Sequence, residues 1–160
     1  MSAPNHAFYT QRCLELAEQG MGHVAPNPMV GCVIVHQGEI IAEGFHQYFG
    51  APHAEPDALA KVENQEILKD CTLYVNLEPC SHHGKTPPCA AHISSFRIKQ
   101  VVIANEDPNP KVSGSGIRFL REHGCDVTTG VLSEEAWWLN RRFFTFHSLK
   151  RPWIILKWAQ

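Results

Sequence analysis

The hydrophobic pattern at the start of the chain predicts one helix and then a pair of strands. Residues 7–19 carry apolar side chains at helical spacing, and Asn5 stands just before them as a candidate N-cap. Residues 30–35 and 40–45 are apolar runs rich in β-branched residues, and the Gln37-Gly38 pair between them is typical of a turn. The pattern therefore predicts an amphipathic helix followed by a β-hairpin.

The rest of the chain alternates apolar strands with helices. Helices are predicted over residues 54–61, 88–96 and 114–123, and strands over residues 71–77, over residues 100–104 and from residue 124. Strands joined through helices run parallel, so with the hairpin this order predicts an α/β fold. We expect a three-layer α/β/α architecture, with a five-stranded mixed sheet between helices. Ligands in such sheets bind outside the carboxyl ends of the strands.

The C-terminal part of the chain leaves two interpretations open. Residues 133–146 predict one further helix, capped by Ser133 and apolar on more than one side. That surface is consistent with core packing and equally with a subunit or domain interface. Residues 151–160 look like the first strand of a following unit.

Composition and charge narrow the class of protein. The chain has 160 residues, enough for one domain with a full core, and its net charge of −2 does not indicate a nucleic-acid partner. We expect no membrane partner, because no apolar run is long enough to cross a bilayer and the start is not that of a signal peptide. Six cysteines are too few for a disulfide scaffold, so we expect reduced thiols and a cytoplasmic location.

A metal-binding pattern lies between residues 53 and 89. His53-Ala54-Glu55 is followed by Pro79-Cys80 and by Cys89, which is the H-x-E and P-C pattern of zinc-dependent nucleobase deaminases. Imidazole and two thiolates suit zinc, and three protein ligands leave one position open for water. We expect His53, Cys80 and Cys89 to bind one Zn²⁺ per chain and Glu55 to carry protons. A closed structural site is the alternative, and its fourth ligand would come from Cys71, His82 or His83.

The longer motifs resemble one family in particular. Asn27-Pro28-Met29-Val30-Gly31, the block from Leu77 to Cys89, and Asp107-Pro108-Asn109-Pro110 resemble the deaminase domain of the bacterial bifunctional riboflavin biosynthesis proteins. Eight residues separate Cys80 from Cys89, whereas cytidine and tRNA deaminases have two at this place. One departure is Pro56-Asp57, which stands where the family usually has Val-His.

The resemblance implies the fold and the reaction. The fold is the cytidine deaminase-like one, and the activity is hydrolytic deamination of 2,5-diamino-6-(5-phosphoribosylamino)pyrimidin-4(3H)-one to 5-amino-6-(5-phosphoribosylamino)uracil and ammonia. The family's substrate contacts fall on Asn27, His46, His82, Lys85, Asp107 and Asn109. Lys85 and His82 would serve the phosphate, although Lys85 on its own reads as a solvated loop charge. The backbone N–H of Cys80 is a candidate donor to the reaction intermediate.

The resemblance also predicts how the chain is divided. Residues 1–147 are expected to form the deaminase domain, and residues 148–160 a linker with the first residues of a truncated or absent reductase domain. NADPH is expected only if that reductase domain is present, and a homo-oligomer is expected. Two rivals stay open: a deaminase of another nucleotide, of the cytidine or deoxycytidylate type, and a non-catalytic interaction module stabilised by zinc.

Overall fold

The computed structural model describes residues 5–82, 87–110 and 112–158. Within these ranges helices and strands alternate much as the hydrophobic pattern predicts. In chain order the elements are α1 (His6–Glu18), β1 (Gly31–His36), β2 (Glu39–Phe45), α2 (Ala54–Leu59), a 3₁₀ helix (Gln65–Asp70), β3 (Thr72–Leu77), α3 (Cys89–Ser95), β4 (Gln100–Asn105), α4 (Ser115–Glu122), β5 (Asp126–Thr129), α5 (Ser133–Leu139) and α6 (Arg141–Leu149).

The predicted hairpin is confirmed. β1 and β2 pair antiparallel, with Gly31 opposite Phe45. The turn residues Gln37 and Gly38 have φ values of 51° and 85°. Two successive residues in the left-handed region match the right-handed twist of the flanking strands, which is why two-residue hairpins favour this geometry. Asn5 caps α1 as expected, since its side chain accepts a hydrogen bond from the N–H of Phe8.

The five strands form one mixed sheet, as predicted. Their order across the sheet is β2-β1-β3-β4-β5. β1 is antiparallel to both of its neighbours, whereas β3, β4 and β5 run parallel to one another. The carboxyl ends of β3 and β4 therefore lie side by side, and the segments that follow them begin at the same edge.

Helices cover both faces of the sheet and complete the three predicted layers. Apolar side chains of α2, α3 and α4 pack against one face, where Ile34 and Val75 are buried. α1 packs against the other face beside Val33 and Tyr74, and α5 joins it there against Ala104. The alternation of Val33 and Ile34 between the faces follows from the two-residue period of a strand. Cys13, Cys32, Cys71 and Cys125 are buried and form no disulfide, so they pack as core residues.

The helix predicted over residues 133–146 is two helices, so that prediction was wrong. The break falls at Asn140, whose backbone adopts φ −100° and ψ 21°. Its side-chain Oδ1 accepts a hydrogen bond from the Met29 N–H at 2.8 Å, and its Nδ2 donates to the Met29 carbonyl at 2.7 Å. A buried amide that binds the backbone of a distant segment explains the break. The helix pair is part core and part surface, because Ala136 and Phe144 are buried while Trp138 and Phe146 are exposed.

The segment after α6 does not form the predicted strand within its described residues. Residues 152–158 have neither helix nor strand. Trp153 is half-buried against Trp137 and Trp138, with ring centroids 6.2 and 6.0 Å away, and residues 154–158 are exposed. None of the helices in the described part of the chain has the length and apolar character needed to span a membrane.

Candidate active site

The three predicted metal ligands lie together. His53 is the residue before α2, Cys80 follows β3, and Cys89 is the first residue of α3. Their ligand atoms all lie within 4.8 Å of one another, and no second such group occurs in the described ranges. His53 Nδ1 is 3.7 Å from the Cys80 Sγ and 3.3 Å from the Cys89 Sγ. His53 is exposed and Cys89 is buried, so the cluster is open on the His53 side.

The chemistry of this donor set fits zinc. Two sulfur donors and one imidazole nitrogen are zinc ligands, and three protein ligands are the number found in catalytic rather than closed structural sites. The hydrogen bond with Cys89, and then the one with His53, lowers the pKa of the Cys80 thiol well below its usual range. The backbone N–H of Cys89 also points to the Cys80 Sγ, at 3.3 Å. The surroundings of Cys80 thus favour its thiolate, which is the form that binds a metal, whereas the hydrogen bond with Cys80 raises the pKa of the Cys89 thiol.

Glu55 is the only acidic side chain of α2 that reaches the cluster interior. It lies in the first turn of α2 and is buried, with 3% of its surface exposed. Burial raises the pKa of its carboxyl group, and the neighbouring His53 partly offsets this effect. It also interacts with the Cys89 side chain. A buried carboxyl beside the metal ligands is suited to taking up and releasing a proton.

His46 and Asn27 form a hydrogen-bonded pair beside the cluster. His46 is 3% exposed, and its ring lies 5.7 Å from that of His53 between centroids. Its Nδ1 lies 3.0 Å from the Pro52 carbonyl oxygen, which can only accept, so Nδ1 carries the proton. Nε2 is then an acceptor and receives a hydrogen bond from the Asn27 Nδ2 at 3.1 Å. The Asn27 amide oxygen is thereby left as the acceptor that Asn27 can offer a ligand.

The other predicted substrate contacts follow the parallel strands. Asp107 and Asn109 come after β4, and the Asp107 Oδ1 accepts a hydrogen bond from the Asn109 N–H at 2.8 Å. Burial raises the pKa of Asp107, and the charges of His147 and His82 partly oppose this shift. His82 is exposed two residues after Cys80. Lys85 and the alternative ligand His83 lie outside the described residues.

The comparison with protein families decides the class. Residues 3–105 match the family model described as the cytidine and deoxycytidylate deaminase zinc-binding region, and the three candidate ligands and Glu55 all fall within that match. This chain belongs to the cytidine and deoxycytidylate deaminase family.

Individual relatives of this deaminase come from riboflavin biosynthesis. The chain is 49% identical over 140 residues to the diaminohydroxyphosphoribosylamino-pyrimidine deaminase of Buchnera aphidicola from Acyrthosiphon pisum, covering 88% of this chain and 94% of the relative. It is 48% identical over 151 residues to the riboflavin biosynthesis protein RibD of Actinobacillus pleuropneumoniae, covering 94% of this chain but 40% of the relative. The chain thus spans about two fifths of the length of that longer protein.

The comparison with solved structures agrees with the sequence comparison. A crystal structure of a diaminohydroxyphosphoribosylaminopyrimidine deaminase and 5-amino-6-(5-phosphoribosylamino)uracil reductase from Thermotoga maritima is similar, with a TM-score of 0.86 and 50% sequence identity. The similarity covers 92% of this chain and 42% of the other. The cytidine deaminase-like fold expected from the sequence is therefore confirmed.

Sequence reasoning missed the residues that hold the deaminase's loops in place. Besides Asn140, the buried Asn76 accepts a hydrogen bond from the Gly31 N–H at 2.8 Å and donates to the Met29 carbonyl at 3.0 Å. The two amides fix the segment that begins at Asn27. The sequence signal for them is weak: Asn76 lies near the end of a predicted strand and Asn140 inside a predicted helix, where asparagine is unfavourable unless its side chain binds the backbone.

Asp57, part of the Pro56-Asp57 departure from the family's usual Val-His, has a structural role. Its carboxylate accepts a hydrogen bond from the Phe45 N–H at 3.1 Å and pairs with Lys61 at 2.9 Å. Lys61 also donates to the Glu43 carbonyl at 2.8 Å. Asp57 therefore ties α2 to the end of β2, just before His46.

A large cavity lies beside the candidate site, not in it. A groove of about 920 Å³ runs between α1, the 21–29 segment and the α5–α6 pair. Asn27 lines this groove, whereas none of the three candidate ligands does. The volume therefore does not locate the metal chemistry, which rests on the His53, Cys80 and Cys89 geometry.

Proposed function

We propose that this chain catalyses a deamination step of riboflavin biosynthesis. Water and 2,5-diamino-6-(5-phosphoribosylamino)pyrimidin-4(3H)-one give 5-amino-6-(5-phosphoribosylamino)uracil and ammonia. The observation that carries the proposal is the buried Glu55 beside the His53, Cys80 and Cys89 cluster. It is supported by a relative that bears this deaminase's name and matches nearly end to end at 49% identity. No reductase activity and no bound NADPH are proposed for these residues.

His53, Cys80 and Cys89 are the proposed ligands of one Zn²⁺. When bound there, zinc supplies Lewis-acid chemistry that makes water a usable nucleophile near neutral pH. Glu55 is the proposed proton carrier. One of its carboxylate oxygens accepts a proton from the attacking water and delivers it to a ring nitrogen. It then moves the proton of the added hydroxyl group to the amino group, so that the C–N bond breaks, ammonia leaves and the ring carbonyl forms.

The substrate contacts are proposed from the chemistry of each group. The Asn27 amide oxygen accepts from a ring N–H or amino group, because the His46 hydrogen bond engages its NH₂ side. Asp107 and Asn109 bind ribose hydroxyls, and Lys85 with His82 binds the phosphate. The backbone N–H of Cys80 donates to the developing oxyanion.

The proposed domain division, assembly and location are part of the same picture. Residues 1–147 form the deaminase unit and residues 148–160 a linker, although α6 continues to Leu149. The exposed Trp138, Phe146 and Leu149 support a homo-oligomer formed through the α5–α6 pair. Light scattering on the purified protein tests this, and a monomer at all concentrations contradicts it. A reducing compartment such as the cytoplasm suits a site that needs two thiolates.

Ammonia release on protein of measured zinc content tests the function. The diaminopyrimidine phosphate, cytidine, deoxycytidylate and a tRNA anticodon stem are compared in parallel. Turnover of the first alone is expected, with loss after chelation and recovery on adding zinc. Turnover of cytidine or deoxycytidylate instead would move the chain to the rival nucleotide deaminases. Zinc-loaded protein that acts on none of them would favour the non-catalytic module.

A further inference from the structure

Glu78 is a buried carboxylate that neither the metal cluster nor the proposed proton transfer uses. It follows β3 directly and is 4% exposed. Its side chain accepts four hydrogen bonds from backbone N–H groups. Its Oε2 accepts from the N–H groups of Asp107 and Gly114, both at 3.0 Å. Its Oε1 accepts from the N–H groups of Gly116 at 2.8 Å and Ile117 at 3.2 Å.

These bonds use the accepting capacity of both oxygens. An ionised carboxylate offers about four lone-pair positions. Each oxygen of Glu78 holds two N–H donors, so neither is available to carry a proton in the reaction. Glu55 and Glu78 therefore have different tasks, although both are buried carboxyl groups.

Glu78 replaces a cap that α4 does not have. The N-cap position is Gly114, which has no side chain to offer and adopts φ 74°. The first N–H groups of the helix are satisfied from another element, and the negative charge lies where the helix dipole favours it. Gly116 allows this approach, since a Cβ there would lie 2.0 Å from the Pro79 carbonyl oxygen.

The same side chain reaches the loop that carries the proposed ribose contacts. The Glu78 N–H donates to the Asn105 carbonyl at 2.9 Å, and the Glu78 carboxylate accepts from the Asp107 N–H. Asp107 in turn accepts from Asn109. One residue thus joins the end of β3, the segment after β4 and the start of α4, two positions before Cys80.

We propose that Glu78 is a positioning residue for substrate binding. Its carboxylate holds the Asp107–Asn109 segment at a set distance from the Pro79-Cys80 end of β3. Asp107 and Asn109 then meet the sugar while the ring faces Glu55. This inference rests on the proposed function and adds to it the residue that assembles the sugar-binding side.

The test compares Glu78→Gln with Glu106→Gln. The glutamine retains one oxygen and turns the other position into an NH₂ group that faces two backbone N–H groups. We expect KM for the diaminopyrimidine phosphate to rise about tenfold, as for a lost pair of buried hydrogen bonds, with kcat and zinc content close to wild type. Glu106 is a matched control: it is exposed, precedes Asp107 and bonds only the Ser113 hydroxyl among the contacts described. Its variant should retain the wild-type KM.

Three results for Glu78→Gln would overturn the proposal: an unchanged KM, a larger change in kcat than in KM, or loss of bound zinc. The last would make Glu78 a support of Cys80 instead. Glu78→Asp, which keeps the charge but is one methylene shorter, should also retain zinc while its KM stays above that of wild type.

Hydrogen exchange on the wild-type protein covers the case in which Glu78→Gln does not fold. The amides of Asp107, Gly114, Gly116 and Ile117 should be protected and exchange together, and the deaminated product should slow them further. Fast or independent exchange of the Asp107 amide overturns the proposal. This measurement needs no turnover. The wild-type protein could also be inactive on the diaminopyrimidine phosphate, with these amides protected but insensitive to product. That result would count against the proposed function and against substrate positioning, although the four hydrogen bonds to Glu78 would still form.

Discussion

The two sides of the candidate site are held by different kinds of contact. On the metal side, His53, Glu55 and Cys89 stand at the starts of helices, so nearby chain geometry sets where they lie. On the substrate side, Asn27 and Asp107 lie in segments without regular structure, which the side chains of Asn140 and Glu78 hold from distant elements. The proposed reacting groups thus stand mostly at helix starts, whereas the proposed recognition groups depend on side chains from distant elements.

The largest expected effect separates chemistry from binding. Glu55→Gln should lower kcat by about 10²- to 10⁴-fold, the usual contribution of a general acid–base group, because the amide cannot carry the proton. Zinc content and melting temperature should stay near wild type. Asp57→Asn, on the same helix, is the control and should retain kcat. An active, zinc-loaded Glu55→Gln protein would remove Glu55 from this role, and loss of zinc would make it a ligand.

The second effect should fall on the substrate side alone. Asn140→Ala removes two hydrogen bonds to Met29 and leaves the Met29 N–H without its side-chain acceptor, while Asn76 still binds the Met29 carbonyl. The free energy of unfolding should therefore fall by about 1–3 kcal/mol. KM should rise because the segment that begins at Asn27 is no longer bound by Asn140, while kcat should stay near its wild-type value. Urea denaturation measures the free energy of unfolding, and steady-state kinetics measures KM and kcat. Asn105→Ala removes one bond to the Ser133 carbonyl and should cost less. A fall in kcat with KM unchanged would contradict the division between the two sides.

A third effect depends on pH. Burial raises the pKa of Asp107 above its usual 3.8, so the ionised carboxylate costs stability in the folded protein. This cost is absent below pH 3.8 and complete above the raised folded-state pKa. Asp107→Asn retains an oxygen for the Asn109 N–H, and should therefore be more stable than wild type at pH 7 and equal to it at low pH. Its KM should rise. Lower stability at pH 7, measured by urea denaturation, would show that the charge has a favourable partner.

The smallest expected effect is at the surface near the metal side. Lys61 pairs with Asp57 while its side chain is 51% exposed. Lys61→Met should change the free energy of unfolding by less than about 0.5 kcal/mol, because solvent screens such pairs. Neither kcat nor KM should change. A larger loss would mean that the Lys61 contact with the Glu43 carbonyl helps hold β2 in place.

The same division explains what could be predicted from the sequence. The hairpin followed from Gln37-Gly38, and the metal cluster from the spacing of His53, Cys80 and Cys89, because both depend on near neighbours or on a recognisable donor set. The break at Asn140 could not be predicted, since its cause is Met29, 111 residues away. The four bonds to Glu78 were hidden for the same reason. The short 3₁₀ helix, Gln65–Asp70, carries too few residues to show a period.

The aromatic cluster at the end of the described chain has an optical consequence. Three of the four tryptophans, Trp137, Trp138 and Trp153, lie with ring centroids 5.6–6.2 Å apart, and the Arg141 guanidinium lies 5.7 Å from the Trp138 ring. Indoles this close couple their electronic transitions and should give a strong near-ultraviolet circular dichroism signal. Only Trp153 belongs to the segment after α6, so release of that segment would remove its coupling to Trp137 and Trp138 and leave the coupling within the Trp137–Trp138 pair, while the sheet stays folded. The protein therefore carries its own spectroscopic reporter of where the segment after α6 lies.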